Sequence, residues 1–409
     1  MPTPAPHHTE GLYIDAKEAA ASLGVSMATL YAYVSRGFIR SQPVPGSRNR
    51  RYWIGDIERL RGRRGAEGQH ESAVDSSAEP QGPVHETKII LMTSRGLYYR
   101  GRDVASLAET ETLESVAALL WDAEPESIFG QRLPVAPPSY AKLARDLADL
   151  PAIERALALF PLIERANPRS YDLSKTGFAR TGADLLRWFA AILVGARGPS
   201  LTPLHELVAE SLQAPKGFED VIRRLLIVIA DHELDPTTYA VRATANTGIT
   251  PYYAAITGII ASRGQRLQSG RLEAAARLLE EIVTTRDPRD SVVARFRNGE
   301  PLVGFSSPVD GRLDPRASIL MSALEKRLGE DPELKRLRRA ADTAAEISGA
   351  QMDTILPAIF VGRKLGLKGQ ELAVSYLGRM AGWIAHAMEQ YHEHPLIRPT
   401  ARYTGPLPT

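Results

Sequence analysis

Ala230-Asp231-His232-Glu233-Leu234-Asp235-Pro236-Thr237-Thr238-Tyr239-Ala240-Val241-Arg242 reads on its own as a polar cluster at a helix end, and an Asp-His-Glu triplet is common. Its weight comes from the ordered set of motifs downstream: Asp314-Pro315-Arg316, then Gly349-Ala350-Gln351-Met352-Asp353-Thr354, then Arg379, then Leu396-Ile397-Arg398-Pro399. Taken singly, each has a bland alternative, such as a turn before a helix or a surface arginine. The surrounding chain, from His85 to Thr409, is rich in Ala and Leu with helical periodicity. Pro and Gly divide it into segments of about ten to twenty residues, which predicts a large all-α region. At its entrance Lys88-Ile89-Ile90-Leu91-Met92 and Leu97-Tyr98-Tyr99-Arg100 flank Ser94-Arg95-Gly96, so a hairpin is expected before the first helix. The most apolar run, Leu185 to Ala196, contains Arg187 and falls well short of the roughly 20 residues that span a bilayer. It predicts a buried helix, and no membrane association is expected.

Length and composition fit this reading. The chain has 409 residues, 44% hydrophobic and 24% charged, which suits two or three folded domains. Lys and Arg number 50 against 48 Asp and Glu, so the whole chain is no polycation, and any affinity for nucleic acid must be local. With no Cys there are no disulfides, thiolate metal sites or cysteine nucleophiles, and a cytoplasmic location is expected. The start of the chain, Met1-Pro2-Thr3-Pro4-Ala5-Pro6, has neither the basic nor the apolar part of a secretory signal. His386, His392 and His394 read as polar residues at the surface rather than as a zinc site, since no third ligand stands at suitable spacing.

Residues 10–64 form a separate basic segment, with ten Lys and Arg against five Asp and Glu, a net +5. Two short amphipathic helices are predicted on either side of Gly24, which suits a left-handed turn. Val25 would plug between them and Ser26 would cap the second. With the hairpin-like Pro45-Gly46-Ser47-Arg48-Asn49-Arg50-Arg51-Tyr52-Trp53 next in the chain, the segment resembles the winged helix-turn-helix of MerR and excisionase-type proteins. The resemblance implies DNA binding, with Thr29, Tyr31 and Tyr33 in the groove and Arg48, Arg50 and Arg51 on phosphates. Residues 65–84, acidic and almost free of large apolar side chains, read as a flexible linker.

Residues 85–409 resemble the citrate synthase family nearly end to end, on the motifs quoted above together with Gly96-Leu97-Tyr98-Tyr99-Arg100-Gly101. The resemblance implies a mostly all-α fold with large and small helical domains, and a homodimer. It also implies a site that joins acetyl-CoA to oxaloacetate. By alignment His232, Arg316, Arg379 and Arg398 would grip the dicarboxylate, since guanidinium groups pair with carboxylates bidentately. Arg398 would serve the neighbouring subunit, and Asp353 would be the proton-abstracting base. Two positions depart from the family. Its Leu-His-Gly-Gly is here Leu267-Gln268-Ser269-Gly270, and its Gly-Phe-Gly-His is here Gly304-Phe305-Ser306-Ser307. Gln268 and Ser307 can still donate hydrogen bonds, but neither replaces an imidazole in proton transfer at neutral pH. Arg271 and Leu272, where the family has small or amide residues, also put the coenzyme seat in question.

The expectation is therefore a DNA-binding regulator that senses a dicarboxylate or 2-oxo acid, with or without an acyl-CoA, in a former citrate synthase site. No permanently bound cofactor and no metal are expected. The alternative is an active citrate synthase or related acyl-CoA condensing enzyme, with Asp353 as base and Gln268 and Ser307 as substitute donors. Dimerisation could also pair the chain with a second citrate-synthase-like subunit.

Overall fold

The computed structural model describes residues 12–47, 49–67, 86–130, 132–264, 269–306, 315–398 and 405. The N-terminal unit begins with β1 (Tyr13–Ile14), α1 (Ala16–Leu23) and α2 (Met27–Ser35). Asp15 caps α1 by accepting from the Glu18 N–H at 2.8 Å, and Ser26 caps α2 by accepting from Thr29 N–H at 3.2 Å. Gly24 ends α1 at φ 61°, a left-handed conformation that an L side chain resists. Val25 packs against the unit's core, as its position between the helices predicts. Next come β2 (Ser41–Pro43), β3 (Arg50–Trp53) and α3 (Ile54–Glu67), and the strands form an antiparallel sheet in the order β1-β3-β2. Leu12, Ile14, Leu23, Leu30, Ile39, Tyr52 and Ile57 make a small core of their own. Buried Asp56 secures the base of the β2–β3 hairpin by accepting from Arg40 through its backbone N–H at 2.8 Å and Nε at 3.0 Å. Helix α3 runs three residues beyond Arg64 into the expected linker. Most of that linker lies outside the described residues.

The second hairpin forms where expected. β4 (Ile90–Thr93) pairs with β5 (Gly96–Tyr99) from Ile90↔Tyr99 to Thr93↔Gly96, and β6 (Arg102–Asp103) adds a short third strand. Alternation along β5 sends Leu97 and Tyr99 into the core of the body, while Tyr98 packs against the core of the N-terminal unit. At the turn, Ser94 N–H donates to Glu58 Oε1 at 3.1 Å and Arg95 reaches Glu18 at 3.4 Å. The N-terminal unit thus rests against the hairpin.

The rest of the body is helical: α4 (Val104–Thr110), α5 (Leu113–Trp121), α6 (Pro125–Ile128), α7 (Tyr140–Asp146), α8 (Ala152–Arg165), α9 (Lys175–Val194), α10 (Leu204–Ser211) and α11 (Glu219–Val228). It continues with α12 (Pro236–Ala245), α13 (Pro251–Ser262), α14 (Ser269–Thr284), α15 (Pro288–Asn298), α16 (Arg316–Leu328), α17 (Pro332–Ser348), α18 (Ile355–Lys364) and α19 (Ala373–Glu393). A strand pair, β7 (Phe305–Ser306) with β8 (Gln351–Met352), joins the segments before α16 and α18. Helices α14, α15, α17 and α18 pack on one another, and α16 links them to α11. The predicted buried helix is α9. Arg187 is tolerated in it because its guanidinium donates to the Phe129 carbonyl at 2.8 Å and lies over the Phe129 ring. Among the described residues no helix is long and apolar enough to cross a membrane.

Helix α19 crosses the body beside the end of α11, and glycine makes the approach possible. A Cβ on Gly382 would sit 2.2 Å from the Ala230 carbonyl and 2.6 Å from Asp231 Oδ1. That packing corrects one expectation. His386 is fully buried, because α19 turns the face bearing Gly382 and His386 onto the segment around Asp231.

Candidate active site

After α11 the chain passes through Ala230, Asp231 and His232, and Glu233 adopts φ 52°, uncommon for a residue with a side chain. Asp235 then caps α12 by accepting from Thr238 N–H at 2.6 Å, with Pro236 at the first helical position. The sharp exit and the cap hold His232 at the mouth of a cleft of about 440 Å³, lined also by Thr87, Ile90, Glu233, Leu234 and Asp235.

Asp231 organises the residues beneath. Its backbone N–H meets Tyr99 Oη at 3.2 Å, its Oδ1 accepts from Arg379 Nη1 at 3.3 Å, and its Oδ2 lies 3.1 Å from His386 Nε2. Burial alone would raise this carboxyl, but His386 and Arg379 outweigh it and hold Asp231 below the usual aspartate range. On its other side His386 Nδ1 is 3.3 Å from Arg242 Nη1. Guanidinium only donates, so Nδ1 accepts and Nε2 carries the proton given to Asp231. Arg242, fully buried, also donates to Glu389 at 2.7 Å and Gln390 at 3.1 Å.

A guanidinium fixes His232 in the same way. Its Nδ1 lies 2.9 Å from Arg316 Nη1, so Nδ1 accepts and Nε2 is left as the ring's N–H donor. Arg316 opens α16 and is almost fully buried. Arg379 is 11% exposed, donates to Thr238 Oγ1 at 3.1 Å and lies over the Trp383 ring. Residues 232, 316 and 379, far apart in sequence, therefore gather around Asp231 as one imidazole and two guanidinium groups, and Arg379 also lies 3.7 Å from Asp235 Oδ2. Arg398 is exposed on the C-terminal segment, which Asn246 holds through the Ile397 carbonyl, and among the described residues no hydrogen bond ties it to the cluster.

Asp353 sits between β8 and α18. Its N–H donates to the Gly304 carbonyl at 2.9 Å, so the β7–β8 pair brings the Gly304-Phe305 motif beside it. Gly304 has φ 93°, and a Cβ there would lie 2.5 Å from Leu356. Both carboxylate oxygens are engaged: Oδ1 accepts from Ile355 N–H at 2.9 Å, and Oδ2 accepts from Arg271 Nη2 at 2.8 Å. The sequence marks Arg271 as a departure but not as a partner of Asp353. The available signal is its position, three residues after Gln268 in the sequence and at the start of α14. Gln268 and Ser307 lie outside the described residues.

In the N-terminal unit Tyr31 is 51% exposed, Thr29 Oγ1 is tied to Ser26 Oγ at 2.9 Å, and Tyr33 packs partly buried against Phe38. Arg50 is exposed yet pinned along the β2–β3 hairpin by Ser41, and Arg51 is half-buried. Arg48 lies outside the described residues.

Residues 81–400 match the family described as citrate synthase, C-terminal domain. The chain is 28% identical to a 2-methylcitrate synthase of Shewanella oneidensis over 355 residues, covering 78% of this chain and 91% of that protein. It is 26% identical to citrate synthase 2 of Bacillus subtilis, covering 76% and 90%. Among solved structures, citrate synthase from Pyrobaculum aerophilum superposes with a TM-score of 0.68 at 20% identity, covering 83% of this chain and 97% of that one. Citrate synthase from Thermoplasma acidophilum, solved as a ternary complex with carboxymethyl coenzyme A and oxaloacetate, gives 0.65 at 21% identity, covering 80% and 96%. Fold, motif order and the family match agree: the chain belongs to the citrate synthase family.

Proposed function

We propose that this chain is a DNA-binding regulator whose His232–Arg316–Arg379 cluster holds a small 2-oxo dicarboxylate and which does not turn it over efficiently. The observation that carries the reading is the Arg271–Asp353 ion pair at 2.8 Å. One oxygen of the carboxylate that would take up the proton is occupied by the Arg271 guanidinium, and the two residues that the family resemblance expects as histidines are Gln268 and Ser307 here. The gathering of His232, Arg316 and Arg379 around Asp231 supports retention of the dicarboxylate grip that the family resemblance implies. A site that binds without turning its ligand over would serve as a sensor. An acyl-CoA is a second candidate ligand, and a homodimer would present two N-terminal units to a two-fold DNA site.

Calorimetric titration with oxaloacetate, beside a thiol-release assay with oxaloacetate and acetyl-CoA, tests this reading. Heat of binding without thiol release is the expected result; turnover well above background overturns it. Arg379→Ala removes a nearly buried, charge-assisted partner and is expected to weaken oxaloacetate binding by about 10- to 150-fold, from the roughly 1.5–3 kcal/mol of a hydrogen bond to a charged group. An unchanged affinity would take Arg379 out of the site.

For the N-terminal unit, the geometry that supports DNA binding is the capped α1–α2 pair, exposed Tyr31 and the arginine-bearing hairpin. Replacing Arg48, Arg50 and Arg51 with Ala is expected to weaken binding to all duplex sequences. It should also flatten the dependence of log K on log salt by about 0.9 for each phosphate no longer neutralised. Equal salt slopes for the variant and the parent would remove the hairpin from the interface.

A second reading, a condensing enzyme acting on oxaloacetate and an acyl-CoA, is favoured by the retained Asp353 and by the citrate and 2-methylcitrate synthases among the relatives. Thiol release in the unmodified protein is its signature.

A further inference from the structure

The β4–β5 hairpin touches both the cleft and the N-terminal unit. At one end Ile90 lines the cleft with His232, and Tyr99 Oη lies 3.2 Å from the Ile227 carbonyl, 3.1 Å from that of Val228 and 3.2 Å from the Asp231 N–H. At the other end, about 10 Å along a strand of this length, the turn meets the N-terminal unit. There Ser94 N–H donates to Glu58, which is only 8% exposed, Arg95 pairs with Glu18, and Tyr98 packs on the unit's core. The two strands between are paired without a bulge. Thr93, fully buried, closes the turn by accepting from the Arg95 N–H at 3.1 Å.

We infer that this hairpin is a rigid shared wall that couples the cleft to the docked position of the N-terminal unit, so that the 65–84 segment need not transmit geometry. A ligand that draws His232 and Asp231 inward pulls on Tyr99 and Ile90, and through the ladder on the Ser94–Glu58 contact. Linkage makes the effect reciprocal: undocking the unit must alter the cleft by the same free energy. The ligand part of this inference rests on the function proposed above. The mechanical part does not.

The test is amide hydrogen exchange on the full-length protein, reading peptides over 12–60, 90–99 and 227–236. In Glu58→Ala, exchange in 227–236 is expected to rise about fivefold or more, in line with the low end of site-to-site coupling, although the mutation lies at the far end of the hairpin. Ser94→Pro, which deletes the donated N–H and leaves Glu58 in the unit's core, should give the same rise and covers the case in which Glu58→Ala unfolds the unit. Glu58→Gln, which keeps an acceptor, should restore the parent pattern. In the parent, saturating oxaloacetate should lower exchange in 12–60 and 90–99 as well as in 227–236. Unchanged exchange in 227–236 in both disrupting variants overturns the coupling, even if oxaloacetate binds. If oxaloacetate fails to bind while the variants still loosen 227–236, the ligand reading falls and the coupling stands.

Discussion

Arg242→Met lowers the stability of the helical body by about 3–5 kcal/mol, the usual cost of breaking a buried ion pair from one side. Arg242 is fully buried, and so nearly is Glu389, which accepts from it at 2.7 Å. Without the guanidinium, the Glu389 carboxylate stays in the interior and, among the described residues, keeps the Lys88 N–H, at 2.7 Å, as its close donor. Gln390 Oε1 and His386 Nδ1 lose a donor in the same step. Met matches much of the arginine stem, so the cost arises from stranded polar groups rather than from a cavity. Urea unfolding measures it. The companion double variant, Arg242→Met with Glu389→Gln, removes the stranded charge while keeping an acceptor for Lys88, and is expected to recover part of the loss. If the double variant is no better than the single, charge burial is not the cause. The effect should reach the site, because His386 is held between Arg242 and Asp231 and loss of Nδ1 pairing lets its tautomer and orientation change. Oxaloacetate affinity is expected to fall even under conditions where the variant remains folded.

Only part of this network is legible in the sequence. The helices, the β4–β5 hairpin, the Gly24 turn and the Ser26 cap are legible because each rests on local rules: periodicity, turn chemistry and a hydroxyl three residues before the N–H it caps. His232, Arg316, Arg379 and Asp353 are legible only because a family resemblance fixes their order, and the structure brings the first three together around Asp231. Asp231 and His386 are not legible as a pair. One lies in a loop and the other in an Ala-rich helix 155 positions later, and only the close approach allowed by Gly382 joins them. His386 reads as a surface residue in the sequence because an isolated histidine in a helix carries no sign of which face is covered. The docking of the N-terminal unit is hidden for a similar reason. Tyr98 lies between Leu97 and Tyr99 in an aromatic and apolar run, and strand alternation alone does not reveal that its opposite face meets a second core.

The largest effect on chemistry is expected from removing the ion pair and introducing two histidines together. The variant Gln268→His with Ser307→His places imidazoles where the family resemblance implies them, and an oxyanion donor or general acid typically supports a rate factor of about 10²–10³. On the proposed reading, Arg271 still holds Asp353 in this variant and leaves these donors without a base to work with. Adding Arg271→Ala leaves Asp353 with the Ile355 N–H as its remaining described partner, which orients the carboxylate without neutralising it. Groups that act as a unit do not contribute additively, so the expected pattern is a step rather than a sum. The parent, Arg271→Ala alone and the double-histidine variant should all stay near background thiol release. The triple variant should exceed the double-histidine variant by about 10²-fold or more, since loss of a general base alone typically costs about 10²–10⁴. If the double-histidine variant is already as fast as the triple, Arg271 does not withhold the base, and the ion pair yields readily when substrates bind. If all variants bind oxaloacetate and none releases thiol, the dicarboxylate grip is inherited but the acyl-CoA seat is not.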